Sequence, residues 1–405
     1  MQYLTLFEYQ TTTGVPLSPA ERDALRAIAP SVAVTPSVGY EGLYDLQPGS
    51  WIGSINLGSL TIEIRPKLPI DRVLFLISYA LAPERWAQTG FSYEENSLLE
   101  AVIPGFVHQV QRALRQGILQ GYRMEEAALP TVRGRLRFDE QIRERYGLFP
   151  PAEVRYDEFT EDIEENRIIK AAIARLSRMR IRSDIARRML RAFDGTLGLV
   201  RQVDYDPRQL PRINYTRLNA HYRPAIDLSV LILRSASFEL KTGAVRATAF
   251  LVDMNEVFEN FVVVALREAL KLSERVFPQG AEGRALALDE AWAVRLLPDI
   301  SWWEGNRCVF VGDVKYKRVN VEGIRHPDLY QMLAYTVATG LPGGLLIYAA
   351  GEAEPMTHRV VYLGKEIEVV ALDVSGSAAE ILAGIDEVAA RIRWLKQWAL
   401  TERDI

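Results

Sequence analysis

The chain has one cysteine in 405 residues, Cys308. That excludes an internal disulfide or a multi-thiolate iron–sulfur framework, and the simplest expectation is a reducing, cytoplasmic setting. Cys308 lies in an apolar run and reads as a small core residue. Long apolar runs are also lacking. The longest beside a helical pattern, Val73 to Leu81, is far too short to cross a bilayer, so no membrane role is expected. Met1 to Gln10 lacks the basic-then-apolar order of a signal peptide. No GxxxxGK[ST] loop occurs, which excludes P-loop nucleotide binding by this chain itself. There is no internal repeat and no low-complexity tract. Nor is there a bulk excess of positive charge: the formal net charge is −4, so any contact with nucleic acid must come from local clusters.

What is present is ordinary for a water-soluble globular chain, 48% apolar and 25% charged, and long enough for two or three domains with real cores. The most informative stretch runs from Val294 to Tyr335. Val294-Arg295-Leu296-Leu297 is a short apolar run that stops at Pro298-Asp299. A second, β-branched and aromatic run, Cys308 to Gly312, ends in Asp313-Val314-Lys315-Tyr316-Lys317. Side chains alternate along a strand, so Asp313 and Lys315 share a face. A hairpin turning around Ser301 to Asn306 would bring Asp299 beside Asp313. A helical segment from Asp328 follows, carrying Gln331 and Tyr335 four residues apart.

Two carboxylates at one point repel unless a cation separates them, and a hard divalent ion such as Mg²⁺ (or Mn²⁺) suits oxygen donors. Such an ion polarises a phosphodiester, while a lysine orients water or steadies charge on phosphate. Metal-dependent phosphodiester hydrolysis is therefore the expected chemistry. The plainer alternative is a surface hairpin in which Asp313 and Lys315 form an ion pair worth roughly 0–1 kcal/mol.

Along the chain, residues 1–90 read as a small β-rich domain: strands near Tyr3 to Tyr9, Gly42 to Leu46, Trp51 to Leu57 and Leu60 to Ile64, and a helix capped at Ser18-Pro19. Residues 91–243 read as mainly helical, with helices over 98–119, 163–179, 183–193 and 225–233. His108 in the first of these reads as a structural core histidine. Thr131 to Phe138 reads as a strand with one basic face, Arg133, Arg135 and Arg137, which together with Lys317 are candidate contacts to a DNA backbone. From Arg167 to Arg191 there are nine basic residues and one acid, Asp184, a local excess that suits phosphates or an acidic partner equally. Residues 244–405 read as helix, hairpin, helix, strand and a closing helix over 378–400, so the whole is mixed α/β.

Pro298-Asp299 followed by Asp313-Val314-Lys315 resembles the PD-(D/E)xK nuclease signature, and Gln331 with Tyr335 resembles the QxxxY helix of its RecB-like branch. Four blocks in order make the resemblance more specific: Thr61-Ile62-Glu63-Ile64-Arg65-Pro66-Lys67, Asn166-Arg167-Ile168-Ile169-Lys170, Met254-Asn255-Glu256-Val257-Phe258-Glu259-Asn260-Phe261 and the signature itself. Together they resemble the McrC family, nuclease subunits of McrBC-type modification-dependent restriction systems. The resemblance implies a restriction-endonuclease-like C-terminal domain with Asp299, Asp313 and Lys315 catalytic. It implies Glu259 as a third metal ligand beside Asp299 and Asp313, with Gln331 and Tyr335 supporting. It also implies a McrB-like, GTP-hydrolysing AAA+ ring as partner, met through the N-terminal domain, and double-stranded, methylated DNA as substrate. Two other readings remain open: a non-catalytic adaptor that activates the ring, and a stand-alone RecB-like nuclease.

Overall fold

A computed structural model describes residues 2–29, 32–84, 97–207, 209–235, 238–242, 245–280, 284, 286–316, 326–350 and 355–401. Elements at the start of the chain are β1 (Gln2–Phe7), β2 (Thr12–Pro16), α1 (Pro19–Ile28), β3 (Val32–Pro36), β4 (Leu43–Pro48), β5 (Trp51–Asn56), β6 (Leu60–Arg65) and α2 (Ile70–Leu81). Then come α3 (Leu98–Leu114), β7 (Gly121–Leu129), β8 (Arg135–Leu136), α4 (Phe138–Arg145), β9 (Ala152–Thr160), α5 (Glu164–Ser177), α6 (Asp184–Thr196) and α7 (Arg223–Ser235). The rest comprises β10 (Phe238–Thr242), β11 (Val245–Asp253), α8 (Met254–Leu270), β12 (Leu286–Ala287), β13 (Arg295–Leu296), β14 (Ile300–Glu304) and β15 (Arg307–Lys315). It closes with α9 (His326–Thr339), β16 (Gly343–Ala349), β17 (Met356–Arg359), β18 (Glu366–Leu372) and α10 (Ala378–Thr401). No described helix is long and apolar enough to cross a membrane.

Two compact units result, one from residues 1–89, 93–101 and 238–405, the other from 90–92 and 102–237. The first and last thirds of the chain, read from sequence as separate domains, thus share a unit, and sheet pairing is the reason. The N-terminal sheet has the order β1-β6-β5-β11-β10, so its last two strands come from the far side of the middle region. β11 lies antiparallel to β5, pairing Leu251 with Gly53. Leu6, Leu25, Ile55, Ile62 and Leu251 meet in one apolar core beneath that sheet. As the sequence suggests, Ser18 and Glu21 form a reciprocal capping box at the start of α1, with Pro19 in its first turn. Farther along, Phe75 and Tyr79 of α2 pack on Phe261 of α8 at ring-centroid distances of 5.6 and 5.5 Å.

The second sheet of this unit has the order β14-β15-β16-β18-β17. β14 and β15 form an antiparallel hairpin, and β15, β16 and β18 run parallel as a buried centre, which accounts for their near-continuous apolar sequences. Helices cover both faces. A Cβ at Gly344 would meet Met332 Sδ of α9 at 2.4 Å, so only glycine lets α9 sit this close, while Gly343 meets Trp398 of α10 on the opposite face. Residues 294–297 are not the hairpin partner that their apolar pattern suggested: only Arg295–Leu296 is a strand, paired with β12, and β14 begins after Asp299. The Pro298 break ends one strand before the next begins.

In the other unit, α5 packs against α6 and α7 with Ile168, Ile169 and Ile173 buried, and Val110, Leu190 and Ile232 are buried as well. The unit contains helices at the expected places and also a sheet, β7-β9-β8, that the sequence reading did not give. Its strands alternate half-buried and exposed residues, too weak a pattern to read as one buried face. The strand expected over 131–138 reduces to Arg135–Leu136, and α4 follows at once. Gly134 breaks it: its φ is +71°, and a Cβ there would meet Arg155 O at 2.4 Å. His108, expected in the core, lies on the exposed side of α3.

Candidate active site

Asp313 and Lys315 fall two apart on β15, on the face that also carries Val311 toward α9. Asp299 precedes β14, one step beyond the Ile300–Gly312 register pair, so the antiparallel hairpin sets it opposite Asp313. Reciprocal bonds lock the two backbones. Asp299 N donates to Asp313 Oδ1 at 3.4 Å, and Val314 N donates to Asp299 Oδ2 at 2.8 Å. The Lys315 ammonium contacts Asp313 Oδ2 directly and lies 3.8 Å from Asp299 Oδ2. Asp313 is fully buried, and the Lys315 ammonium is what faces its Oδ2. The three groups expected to converge from sequence do so.

Burial, and then the neighbouring Asp299 charge, raise the Asp313 carboxyl to about 7. Asp299 moves in the same direction, through burial and then the charge of Glu259. Burial opposes the Lys315 charge, but the two aspartates outweigh it and raise its pKa. The site therefore concentrates negative charge in a dry pocket relieved by one ammonium.

Glu259 comes from α8. Burial, and more weakly the Asp313 charge, raise its carboxyl, while Gln279 Nε2 donates to Glu259 Oε1 at 3.0 Å and to Asn260 Oδ1 at 2.6 Å. It stands near enough to feel the aspartates but is not gathered with them: among the described residues no three His, Cys, Asp or Glu side chains meet in a metal-binding group. The expected three-carboxylate set is thus two carboxylates and a nearby third.

Gln331 and Tyr335 share a face of α9 as i, i+4 residues must. Gln331 Nε2 donates to Tyr335 Oη at 2.7 Å, and Tyr335 Oη donates to Leu297 O at 3.0 Å, just before Pro298-Asp299. Sequence reasoning missed three polar residues around them. Gln279 is one. The others are Asp328, buried on α9, and Tyr348 of β16, which donates to Asp328 Oδ2 at 2.7 Å. Tyr348 is the register partner of Lys315 on the parallel strand, and the Asp328 charge acts on Lys315. The available signal was Asp328 three residues before Gln331; its partner depends on strand register, which the sequence does not print.

The proposed DNA contacts fare differently. Arg133 lies over the Tyr156 ring at 4.3 Å from its centroid, and Arg137 pairs with Glu126 at 3.0 Å and Glu140 at 2.6 Å. Arg135 is exposed. Lys317 lies outside the described residues. Much of the basic excess over 167–191 is also engaged internally: Arg167 with Asp162 at 2.7 Å, Arg175 with Asp204 at 2.8 Å, and Lys170 on the carbonyls of Leu197 and Val200.

Residues 46–349 match the family described as McrBC 5-methylcytosine restriction system component. Among solved structures the chain is similar to one in a half-complex refined from the tetradecameric assembly of Thermococcus gammatolerans McrB AAA+ hexamers with bound McrC. That match has 17% identity and a TM-score of 0.56, over 96% of this chain and 100% of that one. At this identity the likeness is one of fold. A chain of the Thermococcus gammatolerans McrBC complex, solved by cryo-EM, matches at 19% identity and a TM-score of 0.42, covering 66% of this chain and 88% of that one. No curated protein matches the chain.

Proposed function

The chain belongs to the family of McrBC 5-methylcytosine restriction system components, and from that premise we propose that it is the subunit that cuts DNA. The carrying observation is the meeting of Asp299, Asp313 and Lys315 at the hairpin end. The proposed substrate is double-stranded, methylated DNA. The proposed partner is a GTP-hydrolysing AAA+ ring of the McrB kind, by analogy with the assembly in which McrC is bound to McrB AAA+ hexamers. A motor on another chain is consistent with the lack of a P-loop in this one.

Asp299 and Asp313 suit Mg²⁺ or Mn²⁺: both are hard oxygen donors, set side by side in a buried pocket where only one ammonium offsets their charge. Mg²⁺ commonly takes one or two carboxylates and completes its shell with water and phosphate oxygens, so a pair suffices from the protein. When bound, the ion would neutralise phosphate charge and lower the pKa of water. Asp299 and Asp313 hold it in this reading, and Glu259 supports them with its nearby charge. The Lys315 ammonium, already drawn to both carboxylates, orients the attacking water and steadies charge developing on the phosphate. Gln331 and Tyr335 act through Leu297 O, fixing the loop that carries Asp299.

The test combines the purified chain, a McrB-type ring, GTP, Mg²⁺ and methylated DNA. Asp313→Ala and Lys315→Ala are expected to abolish cleavage while stimulation of GTP hydrolysis by the ring survives. Cleavage at the unaltered rate in either variant would reject the catalytic assignment. Cleavage by the chain alone with Mg²⁺ would favour a stand-alone nuclease.

A further inference from the structure

We propose that a cleft between α3 and α6, in the compact unit that does not carry the carboxylate pair, binds the phosphate backbone of nucleic acid. The cleft measures about 770 Å³ and is lined by His108, Gln111, Arg112, Leu114 and Arg115 on one side and by Phe193 and Thr196 on the other. His108 and Arg112 lie one turn apart on α3, and Arg115 follows in the turn just past its end. All three are exposed.

Several arginines elsewhere in the unit are already neutralised. Arg123, Arg137, Arg155 and Arg167 each pair with carboxylates. No acidic side chain lines the cleft, and neither Arg112 nor Arg115 has a carboxylate partner among the described residues. Two guanidiniums facing an open cleft in a chain of net charge −4 are suited to an anion. The uncharged polar groups beside the two guanidiniums support nucleic acid over an acidic protein. The Gln111 amide and Thr196 hydroxyl are side chains that donate to phosphate oxygens. The one aromatic there, Phe193, is buried, so the cleft lacks the exposed apolar anchors that protein interfaces use. These residues are not those the sequence pattern nominated, since His108 reads there as a core residue and the pattern points instead to Arg133, which stacks on Tyr156, and Arg137, which pairs with Glu126.

The inference rests on the DNA reading given above, and its test keeps the two apart. Binding of the full chain to a fluorescent double-stranded DNA is measured by anisotropy in metal-free buffer across a range of salt concentrations. The double variant Arg112→Gln, Arg115→Gln is compared with the unaltered chain and with Arg143→Gln, an exposed arginine paired with Glu144. Each phosphate contact contributes about 0.9 to the slope of log affinity against log salt, so the double variant is expected to lose about 2 from that slope. The loss should be the same for unrelated DNA sequences, and Arg143→Gln should behave as the unaltered chain. DNA binding with an unchanged slope in the double variant overturns the cleft alone. Absence of DNA binding by the unaltered chain also overturns the cleft, whereas the nuclease reading is decided by the cleavage assay with the ring, GTP and Mg²⁺.

Discussion

Tyr335 donates its hydroxyl to the carbonyl oxygen of Leu297 at 3.0 Å, and through that bond a helix holds the loop that presents Asp299. Gln331 supports the bond by donating to the same hydroxyl oxygen at 2.7 Å. The pair therefore acts as a brace, separate from the groups expected to touch substrate.

Tyr335→Phe removes the brace and keeps the ring. A part-buried hydrogen bond is then lost, at a cost of about 0.5–1.5 kcal/mol. Displacing Asp299 by about 1 Å should slow cleavage by about 10²-fold. The expected outcome is a modest fall in melting temperature with a much larger fall in single-turnover cleavage rate. Equal cleavage by variant and parent would remove the brace from the mechanism.

Asp313 sets a pH dependence of stability. Its folded pKa, about 7, lies above the usual 3.8. Between those values the folded state holds a proton that the unfolded state has released, so this group makes stability fall as pH rises from about 4 to about 7. Below that window both states are protonated and its penalty vanishes. Asp313→Asn should therefore gain stability relative to the parent at pH 7.5 but not at pH 4, as read by urea unfolding. In the parent alone, added Mg²⁺ should raise the melting temperature at pH 7.5.

Asp162 gives the opposite sign. Hydrogen bonds from Arg167 hold its carboxyl well below the usual range despite burial, with Arg201 N and Arg123 adding to them. The stability it supplies is complete above the ordinary carboxylate pKa and is lost as pH falls through the depressed folded value. Asp162→Asn leaves Arg123 and Arg167 short of their counter-charge and should cost about 3 kcal/mol at neutral pH. The deficit should narrow toward pH 2 in chemical denaturation; a constant deficit would mean the effect is not electrostatic.

Tyr348→Phe withdraws the hydroxyl that donates to Asp328 Oδ2. A hydrogen bond to a charged, buried partner is worth about 1.5–3 kcal/mol, and that much stability should be lost. Because Tyr348 is the register partner of Lys315, cleavage should slow while KM for DNA stays near the parent value. A raised KM with unchanged kcat would place the pair in binding instead.

Legibility from sequence followed distance along the chain. Asp313 and Lys315 obey strand parity, and Asp299 reaches them through one hairpin, so the centre of the site could be read although its first strand was placed too early. Helices α1, α5, α8 and α9 carried caps or periodicity and lie where expected. The strand over 131–138 was misread because alternation survives in the letters while Gly134 turns the backbone.

Local covalent order thus determined the element types, the face shared by Asp313 and Lys315, and the i, i+4 pairing of Gln331 with Tyr335. Tertiary structure decided the joining of β11 to β5, the Tyr348–Asp328 contact beside Lys315, and which arginines remain open to solvent. The physical reason is the range of the determining force. Backbone sterics and side-chain periodicity act within a turn or a hairpin, whereas sheet register and charge pairing are fixed only when distant segments exclude water together.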